Sequence, residues 1–218
     1  MTPTERQALA IRPAAALVAQ AAGSSLPAYV TRDQARAIIN AATSMRERLL
    51  LETLWQSGGR ISEVLRLRPC DLVEAEGALS LVNLKQKDPR KVPRKLVYVS
   101  PDLLAQLRML ARDARIAWNG YFFRSQRSGD RPMSRQQAWR VIQRCASAAG
   151  VLLPTEDGRL VPAHGRAFRH GAAVHQVRSG VPLSEVQQQL GHARLDTTAI
   201  YTRLASAERR AMADRVEW

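Results

Sequence analysis

The chain has 218 residues, 45% hydrophobic and 24% charged, a composition that excludes disordered and fibrous classes and leaves room for one full hydrophobic core. Lys and Arg number 33 against 19 Asp and Glu, a formal net charge of +14, so the expected partner is a polyanion, most simply nucleic acid. Cys70 and Cys145 have no metal-ligand spacing and make no disulfide framework, and no signal peptide or apolar run of membrane-spanning length is found, so a cytoplasmic, nucleoid-associated protein with no membrane partner is expected.

Residues 1–28 are Ala-rich and end in Gly23-Ser24-Ser25-Leu26-Pro27, which reads as a short N-terminal segment and linker. The main domain is expected over 29–218. Thr31 with Gln34 forms a capping box, and Ala35, Ile38 and Ile39 give the helix its apolar face. Ser44 with Glu47 repeats the box ahead of Leu50, Leu51, Leu54 and Trp55, and Gly58-Gly59 stops that helix. The period then changes. Leu79–Val82 and Leu96–Val99 read as strands, joined through Lys85 to Lys95 with a turn at Asp88-Pro89, and Asp71–Val73 adds a third. Pro101 opens a helix with Leu103, Leu104, Leu107 and Leu110 inside. Ser134 with Gln137 opens another, carrying Ala138, Val141, Ile142 and Cys145. Pro154 to Pro162 reads as turns, and helices are expected at about 164–178, 183–190, 196–204 and 206–216, with Gly180 and Gly191 as stops. The fold class is mainly α with a small antiparallel β-sheet.

Three boxes carry chemistry. Tyr201 follows Thr197-Thr198, which can cap its helix; a phenol is a poor nucleophile at neutral pH unless nearby guanidiniums favour the phenolate. Arg60, after a glycine pair, and Arg169, in Arg166-Ala167-Phe168-Arg169-His170-Gly171, can clamp a phosphate through paired N–H donors. Glu63 lies one turn after Arg60 and can hold its guanidinium. His192, after Gly191, can donate to the same phosphate or move a proton. Taken singly, each of these is an ordinary surface, capping or packing residue; it is the set that points to phosphodiester chemistry. His170 either braces the site or simply packs. Lys85 can reach base edges or protonate a leaving 5′ oxygen, and Lys87, on the same side of an extended chain, competes for that role. Arg90, Lys91, Arg94 and Lys95 read as phosphate-contacting or solvated.

From Tyr29 to Trp218 the sequence resembles the tyrosine recombinase (phage integrase) family. Leu190-Gly191-His192 through Thr197-Thr198-Ala199-Ile200-Tyr201 resembles the family's LGH…TT..Y signature. Gly59-Arg60-Ile61-Ser62-Glu63 is similar to its first arginine box, and Phe168-Arg169-His170 to its second. The resemblance implies Tyr201 as nucleophile, with Arg60, Lys85, Arg169 and His192 as catalytic partners. It also implies a 3′-phosphotyrosine intermediate, no cofactor and no metal. The implied partners are double-stranded DNA and three further copies of the chain, a homo-tetramer on paired sites docked through the C-terminal helix, Ala205 to Trp218. The sequence departs from the family in two places. Arg166, taken as a further catalytic partner that binds phosphate, stands where histidine or lysine is usual, and His164, two residues earlier, substitutes for it only if the local backbone shifts. The usual N-terminal DNA-clamping domain has no counterpart ahead of Tyr29, which reads as a short, catalytic-domain-only member. Two other readings are a non-catalytic DNA-binding regulator of the same fold, and a type IB topoisomerase, against which the LGH…TT..Y box argues.

Overall fold

A computed structural model of the chain describes residues 27–84, 94–125, 131–155, 157–191, 201 and 206. Helix α1, Arg32–Asn40, opens as its capping box requires: Thr31 Oγ1 accepts from the Gln34 amide, and Gln34 Oε1 accepts from the Thr31 amide at 2.9 Å. Helix α2, Met45–Ser57, has half a box. Ser44 accepts from the Glu47 amide, but the Glu47 carboxylate turns to the Thr43 hydroxyl at 2.8 Å and to Arg144 at 2.6 Å. Helix α2 is the central element. Leu49, Leu50, Leu51 and Leu54 are all buried, and the helix packs against α1, the short helix α3 (Ile61–Val64), and the elements that follow. Gly58 ends it in the left-handed region, at φ +56°.

Strands β1 (Leu72–Val73), β2 (Ala78–Val82) and β3 (Arg94–Tyr98) form an antiparallel sheet in that order. Four boundaries differ from the sequence reading: β2 starts one residue earlier, at Ala78, β3 ends one earlier, at Tyr98, and the starts of β1 and β3 also shift. Asp71 closes a 3₁₀ turn, its carboxylate accepting from the Arg68 amide at 2.9 Å, so β1 begins one residue later. Strand β3 begins at Arg94, two residues before the apolar run. Its first residues pair with Val82 and Leu81, which moves Arg94 and Lys95 out of the connection and into the sheet.

Helix α4 (Pro101–Asp113) starts on a Ser100 cap with Pro101 in its first turn, and α5 (Arg135–Ala148) on the complete Ser134–Gln137 box. The stretch read as turns holds a second hairpin, β4 (Leu152–Pro154) with β5 (Leu160–Pro162). Each strand ends on a proline, tolerated because a two-stranded ladder is all edge. Helices α6 (Gly165–Arg178) and α7 (Leu183–Leu190) follow. The segment before Pro27 lies outside the described residues. So do the expected helices after Gly191, except for Tyr201 and Ser206, which are helical. Among the described residues no helix is long and apolar enough to cross a membrane.

The main core joins α1, α2, α4, α5 and the inner sheet face; Phe122, Phe123 and Phe168 are fully buried in it, and Trp55 meets Phe168 edge-on at 6.4 Å. A smaller cluster of Tyr29, Ala173, Val174, Val186, Leu190 and Tyr201 lies between α6 and α7. Close approach seats α6. A Cβ on Gly165 would lie 2.3 Å from Ile61 Cδ1, and one on Gly171 would lie 1.9 Å from the Val30 carbonyl oxygen. Glycine at 165 lets α6 touch α3, which follows Arg60, and so helps set the spacing of the two arginine boxes, while glycine at 171 lets α6 meet the backbone ahead of α1.

Candidate active site

Glu63 is the hub of the first box. Its side chain is fully buried; Oε2 accepts from the Arg60 amide at 3.1 Å and Oε1 from Arg60 Nη1 at 2.7 Å. The same carboxylate therefore caps α3 at its N-cap and fixes the guanidinium of that N-cap. Burial alone would raise the Glu63 carboxyl. The Lys95 charge and the Arg60 hydrogen bonds outweigh it and hold the carboxyl below its ordinary value.

Arg169 comes from the second turn of α6 and is 8% exposed, so its charge needs partners. Nη1 donates to the Gly58 carbonyl and Nη2 to the Leu190 carbonyl, both at 2.8 Å. Those oxygens belong to the C-terminal ends of α2 and α7, where backbone carbonyls lack helical partners and carry partial negative charge. Two helices ended by left-handed glycines, Gly58 and Gly191, thus converge on one guanidinium. A Cβ on Gly58 would lie 2.9 Å from Leu190 Cδ2, so this convergence also depends on glycine. These bonds use two of the five guanidinium N–H groups. Burial, and then the charge of Arg60, push the Arg169 pKa down to about 10, which leaves it cationic at neutral pH.

Tyr201 is 1% exposed, within the smaller cluster. His170 Nδ1 lies 3.1 Å from the Tyr201 hydroxyl, with the rings tilted at 49°. Burial raises the phenol's pKa, while the charges of Arg169 and then Arg60 pull it back, so both guanidiniums act on this hydroxyl. Burial, with the charges of Arg169 and Arg166, drops His170 to about 4, so it is neutral at physiological pH.

Arg60, Glu63, Arg169, His170 and Tyr201 therefore come together. His170 braces the tyrosine. Arg166 is exposed on α6 one turn before Arg169 and His170. His164 is the N-cap of α6, its Nδ1 accepting from the Ala167 amide at 3.2 Å. Lys85, Lys87, Arg90, Lys91 and His192 lie outside the described residues.

Lys95, taken above as phosphate-contacting or solvated, is not solvated. Its side chain is 10% exposed, and Nζ lies 3.1 Å from Glu63 Oε2 and 3.2 Å from the Leu190 carbonyl oxygen. Burial, opposed by Glu63 and reinforced by Arg169 and Arg60, pushes its pKa down to about 8. The signal was present in the strand period. Val97 is buried and Leu96 is 47% exposed, so alternation turns Lys95 inward with Val97.

A helical domain with a small antiparallel sheet sets two hydrogen-bonded arginines in the neighbourhood of a tyrosine. The chain belongs to the phage integrase family, whose sequence model matches residues 28–208. It is 32% identical over 196 residues to tyrosine recombinase XerD of Xanthomonas axonopodis pv. citri, covering 83% of this chain and 60% of that one. It is 24% identical over 193 residues to tyrosine recombinase XerA of Pyrococcus horikoshii, covering 88% and 62%. The chain thus spans about three fifths of the length of these curated relatives. The fold is shared with the crystal structure of XerA recombinase, at TM-score 0.69 and 23% identity over 92% of this chain and 69% of that one. It is also shared with XerH bound to palindromic difH substrate, at TM-score 0.69 and 21% identity over 90% and 55%.

Proposed function

We propose that the chain is a site-specific DNA recombinase that cuts and rejoins double-stranded DNA through a 3′-phosphotyrosine link. One observation carries this reading: the Tyr201 hydroxyl lies in the field of two guanidiniums, each anchored by hydrogen bonds to buried acceptors. Tyr201 Oη forms a bond to phosphorus, and the bond from phosphorus to the 5′ oxygen breaks. The phenol gives up its proton, and the leaving 5′ oxygen takes one up. Charge grows on the two non-bridging oxygens as this happens. Arg60 and Arg169 donate to them without having to reorganise, because Glu63 and two helix ends already fix their planes. Lys85 protonates the leaving oxygen and His192 adds a donor to the phosphate. The phosphodiester energy stays in the covalent link, so rejoining needs no cofactor. Four copies act on two paired sites and dock through the C-terminal helix. The DNA-bound state of the XerH relative supports a duplex as the partner.

The burial of Tyr201 favours a second reading, a DNA-binding regulator of the same fold that cuts nothing. A phosphate reaches a hydroxyl on a side chain 1% exposed only after that side chain swings outward. Covalent trapping decides between them. The chain is mixed with nicked duplexes randomised around the nick, so that a cut releases a short 5′ fragment and strands the enzyme on DNA. A denaturant-stable adduct on Tyr201, with one sequence enriched in the trapped pool, is the result expected of the recombinase. Retention on DNA without any adduct establishes the regulator.

The two residues of the altered second box separate in the same assay. Arg166→Ala is expected to slow adduct formation by at least about tenfold, the worth of one charge-assisted contact. His164→Ala removes a helix cap, so a loss of about 1 kcal/mol in stability is expected with cleavage near the unaltered rate. A cleavage defect in His164→Ala without a change in Arg166→Ala would reverse these roles.

A further inference from the structure

We infer that Lys95 is a positioning residue: it ties the carboxylate behind Arg60 to the carbonyl behind Arg169, and so holds the two guanidiniums in one frame. The inference rests on the recombinase reading and adds to it a lysine that the hairpin resemblance does not supply.

The connection is continuous. Arg60 Nη1 donates to Glu63 Oε1 at 2.7 Å, Lys95 Nζ lies 3.1 Å from Glu63 Oε2 and 3.2 Å from the Leu190 oxygen, and Arg169 Nη2 donates to that same oxygen at 2.8 Å. Three cations and one carboxylate share a nearly dry space. Three positive charges repel, and burying an ammonium costs several kcal/mol on the order-of-magnitude scale for charges withdrawn from water. A lysine that merely filled the inner face of β3 would be better replaced by an aliphatic residue like Val97, two places on. What it supplies is geometric. Arg60 and Glu63 reach the site from α3, and Arg169 from α6. Lys95 alone among these comes from the sheet, and its two bonds reach Glu63 on α3 and, at the end of α7, the carbonyl that also receives Arg169. Its stem also runs beneath the turn that leads to His192: a Cβ on Gly191 would lie 3.6 Å from both Lys95 Cδ and Nζ. Two of the three ammonium protons are committed to Glu63 and Leu190, which marks Lys95 as a brace rather than the proton donor to the leaving oxygen.

The chemistry of the leaving group separates the two roles. A duplex of the trapped sequence is made twice, with the ordinary 5′ oxygen at the scissile bond and with sulfur in its place. A thiolate is a far weaker base than an alkoxide and departs without a proton, so sulfur erases a defect in the proton donor and leaves a defect in phosphate alignment. Lys95→Met should slow single-turnover adduct formation by about tenfold to a hundredfold on both duplexes, the cost of a clamp displaced by a fraction of an ångström to an ångström. Lys95→Arg keeps a charge that can reach both acceptors and should recover most of the rate. Lys85→Ala should be slow on oxygen and restored by sulfur. Glu63→Gln cuts the same connection from its other end; it should also be slow on both duplexes, and it carries the test if Lys95→Met does not fold. Restoration of Lys95→Met or of Glu63→Gln by sulfur, an unchanged rate in either, or a Lys95→Arg protein no faster than Lys95→Met overturns the inference. Failure of the underlying reading shows separately and earlier, as an unaltered chain that traps no adduct from the randomised pool.

Discussion

Tyr201→Phe is expected to form no covalent link to DNA while binding the same duplex almost as the unaltered chain does. The substitution removes one oxygen. The ring keeps its place in the apolar cluster of Tyr29, Val174, Val186 and Leu190. The contact with His170 at 3.1 Å is given up, worth about 0.5–1.5 kcal/mol net. The chain should therefore stay folded. Affinity comes mainly from the basic surface, which the substitution does not touch. The expected loss of cleavage is complete, because Phe offers no lone pair to phosphorus. Two measurements check this: denaturing electrophoresis of the trapped reaction, and an affinity titration on the uncut duplex. An adduct persisting in Tyr201→Phe would mean that another residue attacks, and the mechanism would have to be rebuilt around it.

The parts of this molecule that the sequence announces are those governed by local rules. Thr31–Gln34 and Ser134–Gln137 each close a reciprocal pair of hydrogen bonds within four residues, so the starts of α1 and α5 need no tertiary information. Glycines 58 and 191 end α2 and α7 for a reason equally local, their left-handed backbone. Glu63 beside Arg60 is visible as an i, i+3 pair. What stayed hidden depends on partners far away in the chain. The acceptors of Arg169 are backbone carbonyls 111 and 21 residues distant, and a carbonyl has no letter in a sequence. His164 looked like a spare imidazole because its capping role shows only once α6 is known to begin at Gly165. The β4–β5 hairpin was masked by its prolines, which mark turns wherever no edge strand is suspected. Lys95 is the instructive case. Its phase was readable from Val97, but its partners lie on α3 and at the end of α7, so that phase alone gave no reason to bury a charge.

Arg169→Ala should be the most damaging of the arginine substitutions, in two separable ways. The catalytic loss is that of a preorganised donor at the developing negative charge, at least about a hundredfold in adduct formation, and Arg60→Ala should match it. The structural loss belongs to Arg169 alone. Its guanidinium, 8% exposed, satisfies the carbonyls that close α2 and α7, and alanine leaves both without it. Each buried carbonyl deprived of its charged donor costs about 1–3 kcal/mol, and at about 2–4 °C per kcal/mol for a domain of this size the midpoint of thermal unfolding should fall by roughly 10 °C. Arg60 is more exposed, and without it Glu63 still accepts from the Lys95 ammonium, so Arg60→Ala should unfold within a few degrees of the unaltered chain. Arg169→Lys sharpens the distinction. A single ammonium can reach one helix end and restores part of the stability, but it has no planar fork with which to hold both carbonyls and a phosphate at once. Its melting temperature should therefore recover while its cleavage does not. If Arg169→Ala melts with Arg60→Ala, the two helix ends are held by other means and Arg169 serves the phosphate alone. If Arg169→Lys recovers cleavage along with stability, a point charge is all the site requires, and the fork geometry has no part in the rate.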